Sequence, residues 1–420
     1  MLIKSILNRI QLHHGFVYGA TRLVEKTTHL LLEIEIKPRK GSRPICSVCG
    51  KEGPGYDTLR ARRFEFVPLW GIAVFFLYAM RRVDCPHCGK IKVERVPWAD
   101  GKNHLTTTYA WFLARWARRL SWKEVADVFH TKWDHVFRSV KMAVDWGLAH
   151  RDLDNVTAIG IDEICWKKKG SKFLTLVYQI DDGCKRLLFV GKDRTKKTLE
   201  SFFDGFGSDR SSKLRFVLTD MWKPYLLVVA KKAREALNIL DRFHIMSHMN
   251  KAIDKVRATE TRTLKAKGKK PVLTGSRWCL LKRAENCTET QIIKLQELVA
   301  INLKTVRAYL LKEDFQRFWD YKSAGWAAKF LDHWCKRTMR SRIEPMKKVA
   351  KMLRSHRGLI LNWFRAKEQV ALGAVEGLNN KAKVTTKKAY GFKNFEVIKL
   401  ALYHTLGKLP EPEATHRFSG

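Results

Sequence analysis

The chain has 420 residues, enough for two or three domains, and its apolar fraction of 45% excludes a disordered or low-complexity protein. Its 81 Lys and Arg stand against 41 Asp and Glu, a formal net charge of +40 at pH 7. An excess of that size repels itself in a folded chain and points to a polyanionic partner, nucleic acid ahead of a membrane surface.

The first residues, "MLIKSILNRIQLHHGF", interleave apolar side chains with Lys4 and Arg9 and lack the apolar block of a signal peptide. An intracellular, cytoplasmic protein is expected, in which nine cysteines serve as metal ligands or free thiols rather than disulfides. The longest apolar run, residues 67–80, is too short to span a bilayer and contains Pro68 and Gly71. Its β-branched and aromatic content around Trp70-Gly71 predicts a hairpin. Around this run lie two Cys-x-x-Cys-Gly turns, Cys46/Cys49 and Cys85/Cys88. Two such pairs supply the four thiolates that a structural Zn²⁺ prefers, and the hairpin would carry the chain out and back between them. His87 is read as a bystander, and the remaining cysteines show no ligand spacing.

From Thr106 the periodicity becomes helical, with Tyr109, Phe112, Leu113, Trp116 and Leu120 on one stripe. Ser121 and Glu124 form a capping-box signature that starts a short helix over residues 122–129. After a break at residues 130–132, a second helix is expected to about residue 144, exposing Lys132, His135, Arg138 and Lys141. Short helix, tight turn and longer basic helix fit a helix-turn-helix that reads DNA. An ordinary helical hairpin is the plainer alternative; the zinc pairs and the basic charge favour the DNA reader.

At Val156 the pattern turns to strands. Three strand-like segments, joined in part by an Asp182-Gly183 turn, precede a helix, a strand "LRFVLTD", a helix "YLLVVAKKAREAL" and a fifth strand "NILDRFH". The order predicts an α/β core with a mixed five-stranded sheet. Asp162 and Glu163 lie near the end of the first strand and Asp220 closes the fourth. Asp162 and Asp220 could share a divalent cation, whose hard-oxygen preference suits Mg²⁺ or Mn²⁺; a third acid would complete a two-metal site. Glu163, one residue on, would face the opposite side of the strand.

The segments "GIDEICW", "VLTDMWKPY", "LDRFHIMSHMNKAIDKVR" and "AVEGLNNKAKVTTKKAYGFKNFE" resemble bacterial insertion-sequence transposases of the ISL-three family. The likeness extends over nearly the whole chain. It implies a DDE enzyme with an RNase H-like catalytic core, a helical insertion, an N-terminal zinc module and a helix-turn-helix domain. It implies Asp162, Asp220 and Glu376 as the catalytic triad holding two Mg²⁺ or Mn²⁺ ions. It also matches Asp241 and His244 to an Asp-x-x-His motif that supports the active site. Domains are then expected at 1–100 (zinc), 101–150 (helix-turn-helix), 151–245 (first part of the core), 246–366 (insertion), 367–408 (glutamate helix) and 409–420 (flexible tail).

Seven residues separate Glu376 from Lys383 and four more lead to Lys387, so one helix face would carry the acid and a lysine track. Asn379 and Asn380 are expected to add hydrogen bonds to DNA, and residues 390–392 to stop the helix. In the insertion, Trp278, Trp319, Trp326 and Trp334 are either core residues or stacking platforms for an unpaired base. The implied partners are double-stranded terminal inverted repeats and target DNA, with a homodimer or larger assembly at synapsis, nucleoid association and no membrane. Two alternatives remain: a DNA-binding regulator with an inert core, and an RNase H-like nuclease without strand transfer.

Overall fold

The computed structural model describes residues 3–26, 29–101, 103–167, 172–268, 272–282, 284–301, 303–366, 369–371, 373–388 and 394–413. The chain divides into two units, residues 1–151 with 385–420, and residues 152–384.

The first unit opens with α1 (Ile3–Ile10), followed by β1 (Phe16–Lys26), β2 (His29–Pro38), β3 (Gly55–Leu69), β4 (Ile72–Cys85) and β5 (Lys90–Val93). The sheet order is β1-β2-β4-β3, with β5 on β4. The expected hairpin is present: Leu69 pairs Ile72 across Trp70 and Gly71, both at positive φ (52° and 79°), as a two-residue right-twisting turn requires. Alternation along β4 buries Val74, Phe76, Tyr78 and Met80 against Phe64, Phe66, Ile34, Phe16 and Trp98.

Three helices follow, α2 (Thr107–Trp116), α3 (Trp122–Val128) and α4 (Trp133–His150). The capping box is made: Glu124 N donates to Ser121 Oγ at 3.2 Å, and Ser121 N to Glu124 Oε2 at 2.7 Å. The turn after α3 places His130 at φ 49°. Helix α4 runs six residues past its expected end, because Ala143, Val144 and Gly147 are buried. Gly147 lies directly against Leu409, leaving no room for a Cβ. Of the expected flexible tail, the described residues 409–413 include packed ones: Leu409 is buried and Glu411 bridges Arg115 (2.8 Å) and Arg118 (2.9 Å), while 414–420 lie outside the described residues.

The second unit begins with β6 (Ala158–Lys167), β7 (Lys172–Asp181) and β8 (Cys184–Lys192), then α5 (Lys196–Phe206), α6 (Ser208–Ser212), β9 (Phe216–Thr219), α7 (Lys223–Lys232) and β10 (Leu237–Leu240). The five strands form one mixed sheet in the order β10-β9-β6-β7-β8, as the sequence pattern predicts. Strands β9 and β10 run parallel to β6 while β7 and β8 form antiparallel hairpins beside it. Phe202, Phe203 and Phe206 of α5 and Tyr225, Val228 and Val229 of α7 pack on Ile159, Ile161, Val177 and Val217.

Two expected boundaries move. Helix α7 ends at Lys232, not near Leu237, because Leu237 to Leu240 are recruited as a parallel partner of β9. The segment "DRFH" is not strand: Asp241 caps the next helix, its carboxylate accepting from Phe243 N at 2.8 Å.

That helix is α8 (Arg242–Ala266), and α9 (Arg277–Leu281), α10 (Glu289–Val299), α11 (Lys304–Gln316), α12 (Ala324–Met339), α13 (Glu344–Ser355) and α14 (Arg357–Ala366) continue an all-helical run after β10. Trp319 and Trp334 belong to its aromatic core, with Phe315 and Trp334 rings 4.9 Å apart and Trp319 and Trp363 rings 5.2 Å apart. Trp278 and Trp326 are exposed, each beside a cation, Arg277 and Lys329 respectively. Helix α15 (Ala374–Lys387) carries Glu376; the expected stop at 390–392 lies outside the described residues. The last helix, α16 (Phe395–Leu406), packs with α4 in the first unit.

Candidate active site

Strand β6 is the centre of the five-stranded sheet, and it presents Asp162 and Glu163 in succession. Its parallel neighbour β9 ends at Thr219, so Asp220 leaves the sheet beside them. Helix α15 seats closely on β6: a Cβ at Gly160 would collide with Val375 Cγ2, next to Glu376. The glycine is what permits α15 to approach the strand.

Asp162 is held from three sides. Glu163 N donates to its Oδ1 at 2.8 Å, the Asn379 amide nitrogen donates to Oδ2, and His244 Nε2 lies 3.5 Å from Oδ1. Tyr178 OH donates to Asn379 Oδ1 at 2.8 Å, which turns the amide nitrogen toward the carboxylate. Asn379 is buried, so it supports Asp162 rather than touching DNA as the sequence pattern had indicated. The Asp162 carboxylate holds the His244 imidazole in its protonated form and raises its pKa to about 9, against the opposing effect of burial.

Asp220 is buried, accepting from Trp222 N at 2.9 Å and from Arg194 Nη2 at 2.6 Å. The same guanidinium brings Nε to 2.8 Å from Glu163 Oε1, an ion-pair distance without the alignment of a hydrogen bond. Burial, with Asp220 nearby, pushes the Glu163 carboxyl up to about 7. Glu163 thus joins Asp220 through a shared arginine, although alternation on the strand had set it apart. Burial raises Asp241 to about 6, and the Glu376 charge adds to that rise. Glu376 itself is exposed, as are Asn380, Lys383 and Lys387 further along α15.

The three acids Asp162, Asp220 and Glu376 do not bring their oxygens together as one tight ligand set. Their hard-oxygen chemistry suits Mg²⁺ or Mn²⁺, and Asp162 and Asp220 are each preset by hydrogen bonds. Sequence reasoning missed Arg194, Tyr178 and the role of Asn379. Only the cationic and polar character of these side chains was visible, with no spacing to tie them to the acids.

The four paired cysteines are the one group among the described residues whose ligand atoms all lie within 4.8 Å. A tetrahedron with Zn–S bonds of about 2.3 Å has edges of about 3.8 Å. Here Cys46 and Cys88 Sγ are 3.9 Å apart, and Cys49 and Cys85 Sγ 3.5 Å. Both turns close alike, Gly50 N donating to Cys46 O at 3.0 Å and Gly89 N to Cys85 O at 2.9 Å. Backbone N–H groups of Cys49 and Val48 hold the Cys46 thiol below its usual range, which favours the thiolate a metal needs.

On α4, Lys132, Arg138 and Lys141 are exposed, but Arg138 pairs with Asp134 at 2.7 Å and Lys141 with Asp145 at 2.5 Å. His135 is half-buried, hydrogen-bonded with Thr131 Oγ1 at 2.9 Å, and burial lowers its pKa. At neutral pH it is a polar rather than a charged member of that face.

A profile of a family described as Transposase, the DDE type of the ISL-three group, matches residues 159–402, from β6 through α16. The transposase for insertion sequence element IS1001 of Bordetella parapertussis is 25% identical over 367 residues, covering 87% of this chain and 89% of its own length. The transposase for insertion sequence element IS1557 of Mycobacterium tuberculosis is 28% identical over 410 residues, 91% of this chain and 90% of its own. A match over more than half the chain, containing all three candidate acids, sets the family: this chain belongs to the ISL-three insertion-sequence transposases.

Proposed function

We propose that this transposase binds the terminal inverted repeats of its element and cleaves and rejoins DNA strands at an RNase H-like site formed by Asp162, Asp220 and Glu376. The observation that carries the proposal is that the three elements bearing these acids adjoin at central β6. Asp162 lies on central β6, Asp220 follows β9 beside it, and the Glu376 helix seats against Gly160 of β6. Acids on a strand, a strand end and a seated helix are rigidly supported.

The protein's own groups hold these acids ready. Tyr178 fixes the Asn379 amide, and Asn379 and protonated His244 keep Asp162 oriented. The Trp222 amide does the same for Asp220. Asp241, a helix cap, positions the first turn that carries His244. When bound, two divalent ions supply activation of the nucleophile and charge neutralisation at the phosphodiester. Lys383 and Lys387, on the Glu376 face of α15, run alongside the DNA backbone, with Asn380 beside them. Exposed Trp278 and Trp326 offer stacking faces for an unpaired base.

The zinc module and the α3–α4 pair form the end-reading part, with Lys132, Arg138 and Lys141 on phosphates and His135 as a hydrogen-bonding group. Paired ends require at least a dimer at synapsis. No described helix is long and apolar enough to cross a membrane, and a nucleoid-bound cytoplasmic protein fits the basic charge. Purified protein, Mg²⁺ and a duplex bearing the element's ends test the proposal. Cleavage with joining is expected; cleavage alone indicates a nuclease, and binding alone a regulator.

A further inference from the structure

Arg194 has a backbone tied on both sides and a side chain that reaches partly into solvent. It lies between β8 and α5, where Asp193 adopts φ 69° and donates its N–H to Phe173 O at 3.0 Å. Asp193 O accepts from Thr175 Oγ1 at 2.7 Å, and that hydroxyl also meets Tyr225 OH at 2.7 Å. On the other side Thr195 caps α5, accepting from Thr198 N at 3.1 Å. The backbone of Arg194 is therefore tied before and after it. Its side chain is one-third exposed (33%), and its guanidinium lies over the Trp222 ring at 4.5 Å.

The head of this side chain neutralises two carboxylates that are nearly out of water, Glu163 at 8% and Asp220 at 10% side-chain exposure. Two such anions without a cation would be costly. A divalent ion on Asp220 Oδ2 would bind at about 2.1 Å. Arg194 Nη2 already stands 2.6 Å from that oxygen, so the ion and the guanidinium would repel at close range. One must leave.

We propose that Arg194 is a resident counter-cation: it closes Asp220 to divalent metal in the DNA-free protein and swings out to a DNA phosphate as the metal enters. A guanidinium is suited to both states, since its fork matches carboxylate and phosphate alike. Metal loading and DNA binding are then coupled through one arginine, which protects the buried acids while no DNA is bound. This inference rests on Asp220 being a metal ligand. Arg194 acts here as a positioning residue.

The test is Mn²⁺ affinity of the full-length, DNA-free protein, followed by electron paramagnetic resonance of free Mn²⁺. Arg194→Gln is expected to bind Mn²⁺ about tenfold more tightly than the wild type, and Arg194→Lys to fall between, because the lysine keeps the charge but loses the fork. Asp220→Asn is expected to weaken binding. If Arg194→Gln and Arg194→Lys, with unchanged melting curves, bind Mn²⁺ no more tightly while Asp220→Asn weakens it, the counter-cation role is wrong and the metal site stands. Should Asp220→Asn leave Mn²⁺ affinity unchanged, the metal role of Asp220 fails and the inference with it. If Arg194→Gln does not fold, Arg194→Lys decides the matter by the same readout.

Discussion

His244 shows how the candidate site sets the state of a single residue. Its imidazole gains an anionic partner in Asp162 on folding, and its pKa rises from 6.5 to about 9. A base with a raised folded pKa stabilises the fold fully below its unfolded value, and that contribution disappears as the pH climbs through the folded one. His244 therefore adds stability up to about pH 6.5 and loses it toward pH 9. Asp162→Asn should bring the His244 pKa back toward the ordinary histidine range and flatten this part of the pH–stability profile. NMR titration of the His244 ring reads the shift; a pKa that stays near 9 in Asp162→Asn would assign the effect to another group. Residues such as this were half legible in the sequence. Asp162, Asp220 and His244 stood out by strand ends and motif. The Asn379 contact did not, because it joins positions 217 residues apart and leaves no local pattern.

Elements with a strong period were legible as well. The alternation of β4, the Trp70-Gly71 and Asp182-Gly183 turns and the Ser121–Glu124 cap all formed as the sequence indicates. What the local pattern missed was set by partners elsewhere. The four residues of β10 resemble a helix tail until β9 pairs with them, and α4 is extended by burial of its last turns. The α15–β6 contact is of the same kind and makes a prediction at this scale. Gly160→Ala puts a methyl group into Val375 and should destabilise the second unit by about 1–3 kcal/mol, the usual cost of overpacking. Val375→Ala should recover part of that loss when combined with it, as a double-mutant cycle of chemical denaturation midpoints would show. Additive losses would mean that α15 does not rest on Gly160.

For the whole molecule, the net charge is +40, and the cysteine set and the acidic sheet residues lie in different units. The first unit carries the cysteine cluster and the basic helix α4, and the second carries the buried acids Glu163 and Asp220 with their arginine. Charge this large favours salt-sensitive binding of a polyanion, yet it says nothing about chemistry. The central claim is that the acids act on DNA already bound. Asp220→Asn keeps the side-chain volume and removes only the charge, so end binding at moderate salt should match the wild type. Mg²⁺-dependent cleavage of the same duplex should fall by several orders of magnitude. Wild-type cleavage by Asp220→Asn, with binding unchanged, would contradict the assignment of the site.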